Sequence, residues 1–210
     1  NVEDAPVSAD TTTTVDTDAP TSQVTTLSTY QTSNSFAVSY SANDSGGSGI
    51  LDVHLWVKVP GTGFYADAGA WTSGATYTAS AGNGLYQFYT VATCNAGNVE
   101  DAPVSADTTT TVDTDAPTSQ VTTLSTYQTS NSFAVSYSAS DTTSGVANVH
   151  LWVKVPSGIY ADAGVWTSGA IYSAVAGDGL YEFYTRATDN AGNVEDAPVS
   201  ADTTTTVDTD

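Results

Sequence analysis

The sequence feature that most constrains the fold of this chain is an internal repeat, with periods of 97 and then 95 residues. Residues 1–42 and 98–139 are the same 42 letters, NVEDAPVSADTTTTVDTDAPTSQVTTLSTYQTSNSFAVSYSA. The first 18 of these letters occur a third time at residues 193–210. Each period should therefore fold in the same way, and we expect the chain to be a stretch of a longer array.

The period is that of one small domain, because solenoid units span only about 20–50 residues. Thr, Ser, Val and Tyr are abundant, turn residues separate short runs, and no window places apolar residues at helical spacing. These patterns predict strands. We predict an all-β chain in which residues 1–18 are the last strand of a preceding repeat, residues 19–115 the first repeat and residues 116–210 the second.

The charge of the chain is strongly acidic, with three Lys and Arg against 23 Asp and Glu and a formal net charge of −20. Such a surface repels nucleic acid and anionic membranes, so we expect no nucleic-acid partner and no membrane insertion of this segment. The single cysteine, Cys94, excludes an intrachain disulfide framework. The acidity fits a soluble extracellular surface, and it equally fits carboxylates that hold divalent cations.

The apolar pattern of the second repeat alternates with the period of a half-buried strand. The segment Thr118–Asn131 reads as an edge strand, and residues 194–208 read as the closing strand. The next two predicted strands each have one apolar face, formed by Phe133, Val135 and Tyr137 and by Val149, Leu151, Val153 and Val155. About seven short strands with frequent turns predict a Greek-key β-sandwich.

Two motifs carry a family resemblance. The segment GLYEFYTRATDNAGN (residues 179–193) and the segment VDTDAP (residues 112–117) resemble the bacterial immunoglobulin-like repeats of large cell-surface adhesins and biofilm proteins. The resemblance covers both repeats and implies tandem immunoglobulin-like β-sandwiches at the cell surface. It also implies a tyrosine corner at Tyr181, with Phe183, and Phe88 in the first repeat, where an antibody domain carries its second cysteine.

The same resemblance implies a metal site at one pole of each sandwich, where the incoming linker meets two loops. Oxygen ligands in such number suit Ca²⁺, which would stiffen the joint between neighbouring repeats. The candidate ligands are Asp113, Asp115, Asp141, Asp189, Asn190 and Asn193 in the second repeat, and Asp16, Asp18, Asp44, Asn95 and Asn98 in the first. The alternative is that these residues only complete turns.

Cys94 offers an internal comparison, because it stands where the second repeat has Asp189. A thiol is a poor ligand for Ca²⁺. We therefore expect weaker calcium binding in the first repeat.

No side chains suggest catalysis. His54 and His150 occupy equivalent strand positions without an acid-base partner adjacent in sequence, and no nucleophile motif such as GxSxG is present. The tryptophans and their neighbouring tyrosines fit core and cross-strand packing, or a face on which sugars stack; they are Trp56, Trp71, Trp152 and Trp166 with Tyr65, Tyr77, Tyr160 and Tyr172.

These observations predict a non-enzymatic extracellular repeat protein, a surface stalk or fibre of serial domains. Its expected partners are the neighbouring repeats of the same chain and other copies in a fibre or lateral assembly. One alternative is a self-assembling filament, sheath or surface-layer subunit, since Thr-rich edges can pair between chains. Another is a carbohydrate-binding accessory module of a secreted enzyme.

Overall fold

The computed structural model describes residues 11–45 and 47–210, and every regular element of that part is a β-strand. The all-β prediction is confirmed. The chain divides into two compact units, of which the first ends at Thr110 and the second comprises Tyr30–Ser33 and Thr111–Asp210. Across the described residues, no helix has the length and apolarity needed to cross a membrane.

In the part of the chain that the structure describes, the two repeats contain equivalent sets of nine strands. Those of the first are β1 (Thr21–Val24), β2 (Tyr30–Gln31), β3 (Ser35–Val38), β4 (Tyr40–Asn43), β5 (Ile50–Lys58), β6 (Ala66–Ala70), β7 (Ala75–Thr78), β8 (Gly84–Cys94) and β9 (Thr108–Val112). Those of the second are β10 (Thr118–Val121), β11 (Tyr127–Gln128), β12 (Ser132–Val135), β13 (Tyr137–Ser140), β14 (Val146–Lys154), β15 (Tyr160–Val165), β16 (Ala170–Ser173), β17 (Gly179–Asp189) and β18 (Thr203–Val207).

Each repeat pairs its strands in the same order. In the second repeat a five-stranded sheet has the order β11-β18-β17-β14-β15, and two further pairs are β10-β13 and β12-β16. Strand β11 runs parallel to β18, whereas the other pairs are antiparallel. The first repeat has the corresponding sheet β2-β9-β8-β5-β6 and the pairs β1-β4 and β3-β7.

The core of the second repeat lies between these sheets. Strand β14 alternates as its sequence predicts, with Val149, Leu151 and Val153 buried on one face. Apolar side chains from the five-stranded sheet and from the paired strands form one cluster, which contains Val121, Phe133, Val135, Leu151, Val153, Ala174, Tyr181, Phe183 and Val207. Because strands from both kinds of sheet contribute, the sheets pack face to face.

Tyr181 anchors one end of this core. Its ring is fully buried, and its hydroxyl donates to the backbone carbonyl of Gly177 at 2.8 Å. In the first repeat Tyr86 is equally buried and donates to Gly82 at 2.9 Å. In each repeat, therefore, the ring supplies apolar packing and the buried hydroxyl is satisfied by a backbone acceptor.

Some strand boundaries differ from those predicted. Each repeat has nine strands instead of about seven, because Thr118–Asn131 is divided between β10 and β11 and because β12 and β13 are separate. Strands β10 and β11 belong to different sheets, so the chain crosses from one sheet to the other between them. Of the closing segment, only Thr203–Val207 forms a strand.

Residues 1–10 of the opening segment are not described, and neither is Gly46. Residues 11–18, predicted to form part of a strand, are not in one. The identical Thr run forms β18 in the second repeat, where β17 pairs with it from Gly179 to Phe183. A strand of this kind needs a neighbour for its backbone groups.

Candidate metal centre

Three aspartates of the second repeat lie together at strand ends. Asp113 directly follows β9, Asp141 directly follows β13 and Asp189 is the last residue of β17. Each offers a carboxylate oxygen, and these oxygens all lie within 4.8 Å of one another. Asp113 and Asp189 are buried, and Asp141 is half-buried.

Asp113 connects the incoming segment to the loop after β13. Its Oδ2 accepts the backbone N–H of Ser144 at 3.0 Å, and its Oδ1 accepts the N–H of Asp115 at 3.3 Å. The preceding residue, Val112, is fully buried, so the segment is fixed on the N-terminal side of this contact.

Asp141 organises its own loop. Its Oδ1 accepts the backbone N–H groups of Thr143 at 3.1 Å, Ser144 at 2.9 Å and Gly145 at 2.6 Å. Gly145 has φ of 78°, a conformation that glycine adopts without strain. These donors point at one carboxylate oxygen, which fixes the carboxyl group beside Asp113.

Asp189 is held by the turn that follows β17. Its Oδ1 accepts the N–H groups of Gly192 at 2.6 Å and Asn193 at 2.8 Å, and its Oδ2 accepts the side-chain amide of Asn193 at 2.8 Å. That amide also donates to the backbone carbonyl of Asp113 at 2.9 Å. Asn193 thus positions two of the three aspartates.

The other predicted ligands of this repeat lie outside the group of carboxylates. The amide of Asn190 donates to the backbone carbonyls of Ser144 at 2.8 Å and Gly145 at 3.0 Å, which ties the two loops together. Asp115 is exposed and contributes its backbone N–H to Asp113. The amide of Asn190 therefore joins the two loops, whereas that of Asn193 bonds to the aspartates themselves.

The first repeat contains the matching group, made of Asp16, Asp44 and Cys94. Asp44 Oδ2 accepts the N–H of Gly49 at 2.7 Å, and Asp16 Oδ2 accepts the N–H of Ser48 at 3.3 Å. Cys94 is fully buried. The hydroxyl of Ser48 lowers the pKa of Asp16, as do the Asp18 N–H and the Cys94 thiol, although desolvation opposes them.

The remaining predicted ligands of the first repeat have the same places as their counterparts. The amide of Asn95 donates to the backbone carbonyls of Ser48 and Gly49, and that of Asn98 donates to the carbonyl of Asp16 at 3.0 Å. Asp18 is exposed and donates its N–H to Asp16 Oδ1 at 3.2 Å.

The two groups differ in the chemistry that they can support. Three carboxylates are hard oxygen donors, the type that Ca²⁺ binds, and their negative charges repel one another when no cation lies between them. Two carboxylates with a thiol form a softer set, and sulfur contributes little to Ca²⁺ binding.

Two further pairs of carboxylates, one in each repeat, have roles that were not predicted from the sequence. Glu195 accepts the N–H of Ser119 at 2.7 Å, the hydroxyl of Ser119, and the N–H of Ala187 at 2.9 Å. Asp202 Oδ2 accepts the N–H groups of Val121 at 2.9 Å and Thr185 at 3.1 Å. Each therefore joins β10 to β17 across a gap between sheets.

In the first repeat Glu100 and Asp107 make the corresponding bonds between β1 and β8. Burial is the main cause that raises the pKa of Asp107. The sequence offers one signal of this role: the two carboxylates recur at equivalent positions of both repeats, in a segment that otherwise looks like a loop.

The aromatic residues make two kinds of contact. The indole N–H groups of Trp71 and Trp166 donate to the carbonyls of Val38 and Val135 at 2.9 Å, which is a packing role. Trp152 stacks on Tyr184, with ring centroids 5.8 Å apart, and Tyr160 packs against the same tyrosine.

The histidines have carboxylate partners that adjacent sequence does not reveal. His54 Nδ1 lies 2.9 Å from Asp67, and His150 Nδ1 lies 2.8 Å from Asp162, in each case across a strand pair.

A search of protein-family models finds none that matches this chain, and a search of curated proteins finds no significant match.

Proposed function

We propose that this chain is a structural or adhesive extracellular repeat protein, whose serial immunoglobulin-like domains form a surface stalk or fibre. The observation that carries the proposal is the repetition of one set of contacts in both repeats. Equivalent hydrogen bonds recur for Tyr86 and Tyr181, Asn95 and Asn190, Asn98 and Asn193, Glu100 and Glu195, and Asp107 and Asp202. An array needs equal links, whereas an enzyme needs one site, so the proposed role is not catalytic.

Strand order supports the immunoglobulin-like part of this proposal. A short edge strand runs parallel to the last strand of the five-stranded sheet, and an interior strand, β14, lies between β17 and β15. The buried tyrosine that donates to a backbone carbonyl four residues upstream resembles a tyrosine corner.

Calcium at the acidic groups is the second part of the proposal. Asp113, Asp141 and Asp189 place three carboxylates within 4.8 Å of one another, two of them buried, which raises their mutual repulsion because water screens buried charges poorly. Ca²⁺ accepts six to eight oxygen ligands in flexible geometry, so waters and backbone oxygens would complete its shell.

A cation bound there would fix Asp113, which belongs to the segment leading from one repeat into the next. In an array, each such segment would lose freedom, and the string of domains would become stiffer. Extracellular modules bind Ca²⁺ with dissociation constants of about 10⁻⁴ to 10⁻³ M. A tenfold excess over the dissociation constant would stabilise the second repeat by about 1.4 kcal/mol.

Calorimetric titration of the whole chain with Ca²⁺ tests this part. We expect heat of binding, a higher melting temperature with Ca²⁺ than with EDTA, and a longer particle in small-angle scattering. Asp113→Asn combined with Asp189→Asn should remove most of these effects, and Asp115→Asn, at an exposed position outside the group, should retain them. Absence of binding heat, or equal responses of the two variants, would leave the carboxylates with a turn-forming role alone.

Lateral self-assembly is a second candidate, favoured by open sheet edges such as that of β16. Among the described residues, strand β16 pairs with β12 alone, and its Ile171 is exposed. Open edges of this kind can pair with another chain. Sedimentation of the chain over a range of concentrations tests it: a monomer at every concentration argues against it, and Ile171→Lys should abolish any association that occurs.

A further inference from the structure

His54 is oriented by a carboxylate in the manner of a metal-binding histidine. Its Nδ1 lies 2.9 Å and 3.1 Å from the two carboxylate oxygens of Asp67. Asp67 is itself fixed by the N–H of Gly69 at 2.7 Å, and Gly69 has φ of 90°. Because Nδ1 donates its proton to Asp67, the lone pair of a neutral ring lies on Nε2, and this arrangement makes the ring a better ligand.

A second carboxylate faces that lone pair. Asp52 precedes His54 by two residues and so lies on the same face of β5. Its Oδ2 is 3.9 Å from His54 Nε2. Its Oδ1 is buried and has no hydrogen-bond partner within the described residues. His54 Nε2 and Asp52 Oδ2 are two acceptors that face each other, and a cation between them would satisfy both. The buried Oδ1 does not distinguish this repeat, because Asn148 Oδ1 in the second repeat is also buried without a hydrogen-bond partner among the described residues.

We propose that His54 Nε2 and the Asp52 carboxylate bind a divalent cation of the zinc class, with Asp67 as the residue that positions the ring. Imidazole and carboxylate are both ligands of Zn²⁺, at distances of about 2.0–2.2 Å. The two side chains must approach each other by a fraction of an ångström, and both can do so because more than a third of each is exposed. Water completes the coordination.

The second repeat provides an internal comparison that lacks this pair. His150 has the same partner, since its Nδ1 lies 2.8 Å from Asp162, but Asn148 stands in place of Asp52. Arg186 is the cross-strand partner of His150, whereas Val91 is the cross-strand partner of His54. A neutral amide and a neighbouring cationic side chain both disfavour a bound cation. The site therefore belongs to the first repeat.

Histidine-ring NMR of the whole chain tests the proposal, because the chain contains only two histidines and His150→Gln assigns their signals. The acidic groups are first saturated with Ca²⁺, and Zn²⁺ is then titrated. We expect Zn²⁺ to shift the Nε2 signal of His54 at concentrations at least tenfold below those that affect His150. Asp52→Asn, which copies the second repeat and removes no apolar contact, should bring His54 to the behaviour of His150.

The reciprocal change should create the site. Asn148→Asp with Arg186→Val should lower the Zn²⁺ concentration needed at His150 at least tenfold, while Asp162→Asn added to this variant should cancel the gain. Equal responses of His54 and His150 in the natural chain, or an unchanged response of His54 in Asp52→Asn, would overturn the proposal.

Discussion

The side-chain amide of Asn193 donates to Asp189 Oδ2 at 2.8 Å, and this bond depends on a residue that differs between the repeats. In the first repeat the equivalent pair is Asn98 and Cys94, whose thiol cannot replace a carboxylate as a double acceptor. Asn98 still donates to the carbonyl of Asp16, so the scaffold persists without the third carboxylate. The two repeats thus compare an O₃ ligand group with an O₂S group on one scaffold.

Cys94→Asp should increase the calcium response of the first repeat. The new carboxylate would complete the set that Asp113, Asp141 and Asp189 form in the second, so Ca²⁺ should raise the melting temperature more in the variant than in the natural chain. Without Ca²⁺ the variant should gain no stability, because a buried charge is added beside Asp16 and Asp44. Thermal unfolding with Ca²⁺ and with EDTA measures both effects. Cys94→Ser is the control, and an equal calcium response in Ser and Asp variants would contradict the prediction.

Tyr181→Ala should destabilise the second repeat by about 3–5 kcal/mol, since it removes a fully buried ring. Tyr181→Phe should cost only about 0.5–1.5 kcal/mol, because it keeps the ring and loses the hydrogen bond to Gly177. Urea unfolding followed by tryptophan fluorescence measures both. If Ala costs no more than Phe, the ring does not carry the packing described here.

Glu195→Gln should destabilise the second repeat by about 1–3 kcal/mol. The carboxylate accepts the N–H groups of Ser119 and Ala187, and an amide would turn a donor toward one of them. Asp196→Asn is the matched control, because Asp196 is the exposed next residue. Equal urea midpoints for the two variants would show that the bridge between β10 and β17 does not contribute to stability.

Tyr160 should ionise at unusually high pH. Burial, followed by the hydrogen bond to Glu182 and the negative charge of that residue, raises the pKa of Tyr160 from 10.0 to about 12. Because the folded state holds this proton more tightly, the resulting stability is complete below pH 10 and is lost as the pH rises through about 12.

Absorbance titration of tyrosinate tests this shift. In Glu182→Gln, which copies Gln87 of the first repeat, the pKa of Tyr160 should fall, since a neutral acceptor replaces the carboxylate. Leu180→Ala, at an exposed site on the same strand, is the control and should leave the titration unchanged. An unaltered titration in Glu182→Gln would assign the shift to burial alone.

Sequence alone determined the fold class and which face of several strands is buried. The alternation of Val149, Leu151 and Val153 predicts their burial because a strand has a period of two, and the repeat guarantees that both domains fold alike. The carboxylates that the family resemblance predicts to converge include Asp113, Asp141 and Asp189, which do lie together, and Asp115, which lies outside the group.

Only the tertiary structure decided which segments become strands and which side chains complete each site. The Thr run forms a strand beside β17, but the identical run at residues 11–14 does not form a strand. Strands β10 and β11 belong to different sheets, although they lie in one polar stretch of sequence. Asp67 meets His54 across a strand pair, and Glu195 meets Ser119 from a segment that is 76 residues away in sequence. Periodicity specifies the face of a strand from local residues, whereas its partner is selected by backbone hydrogen bonds and packing between remote segments, which no local pattern contains.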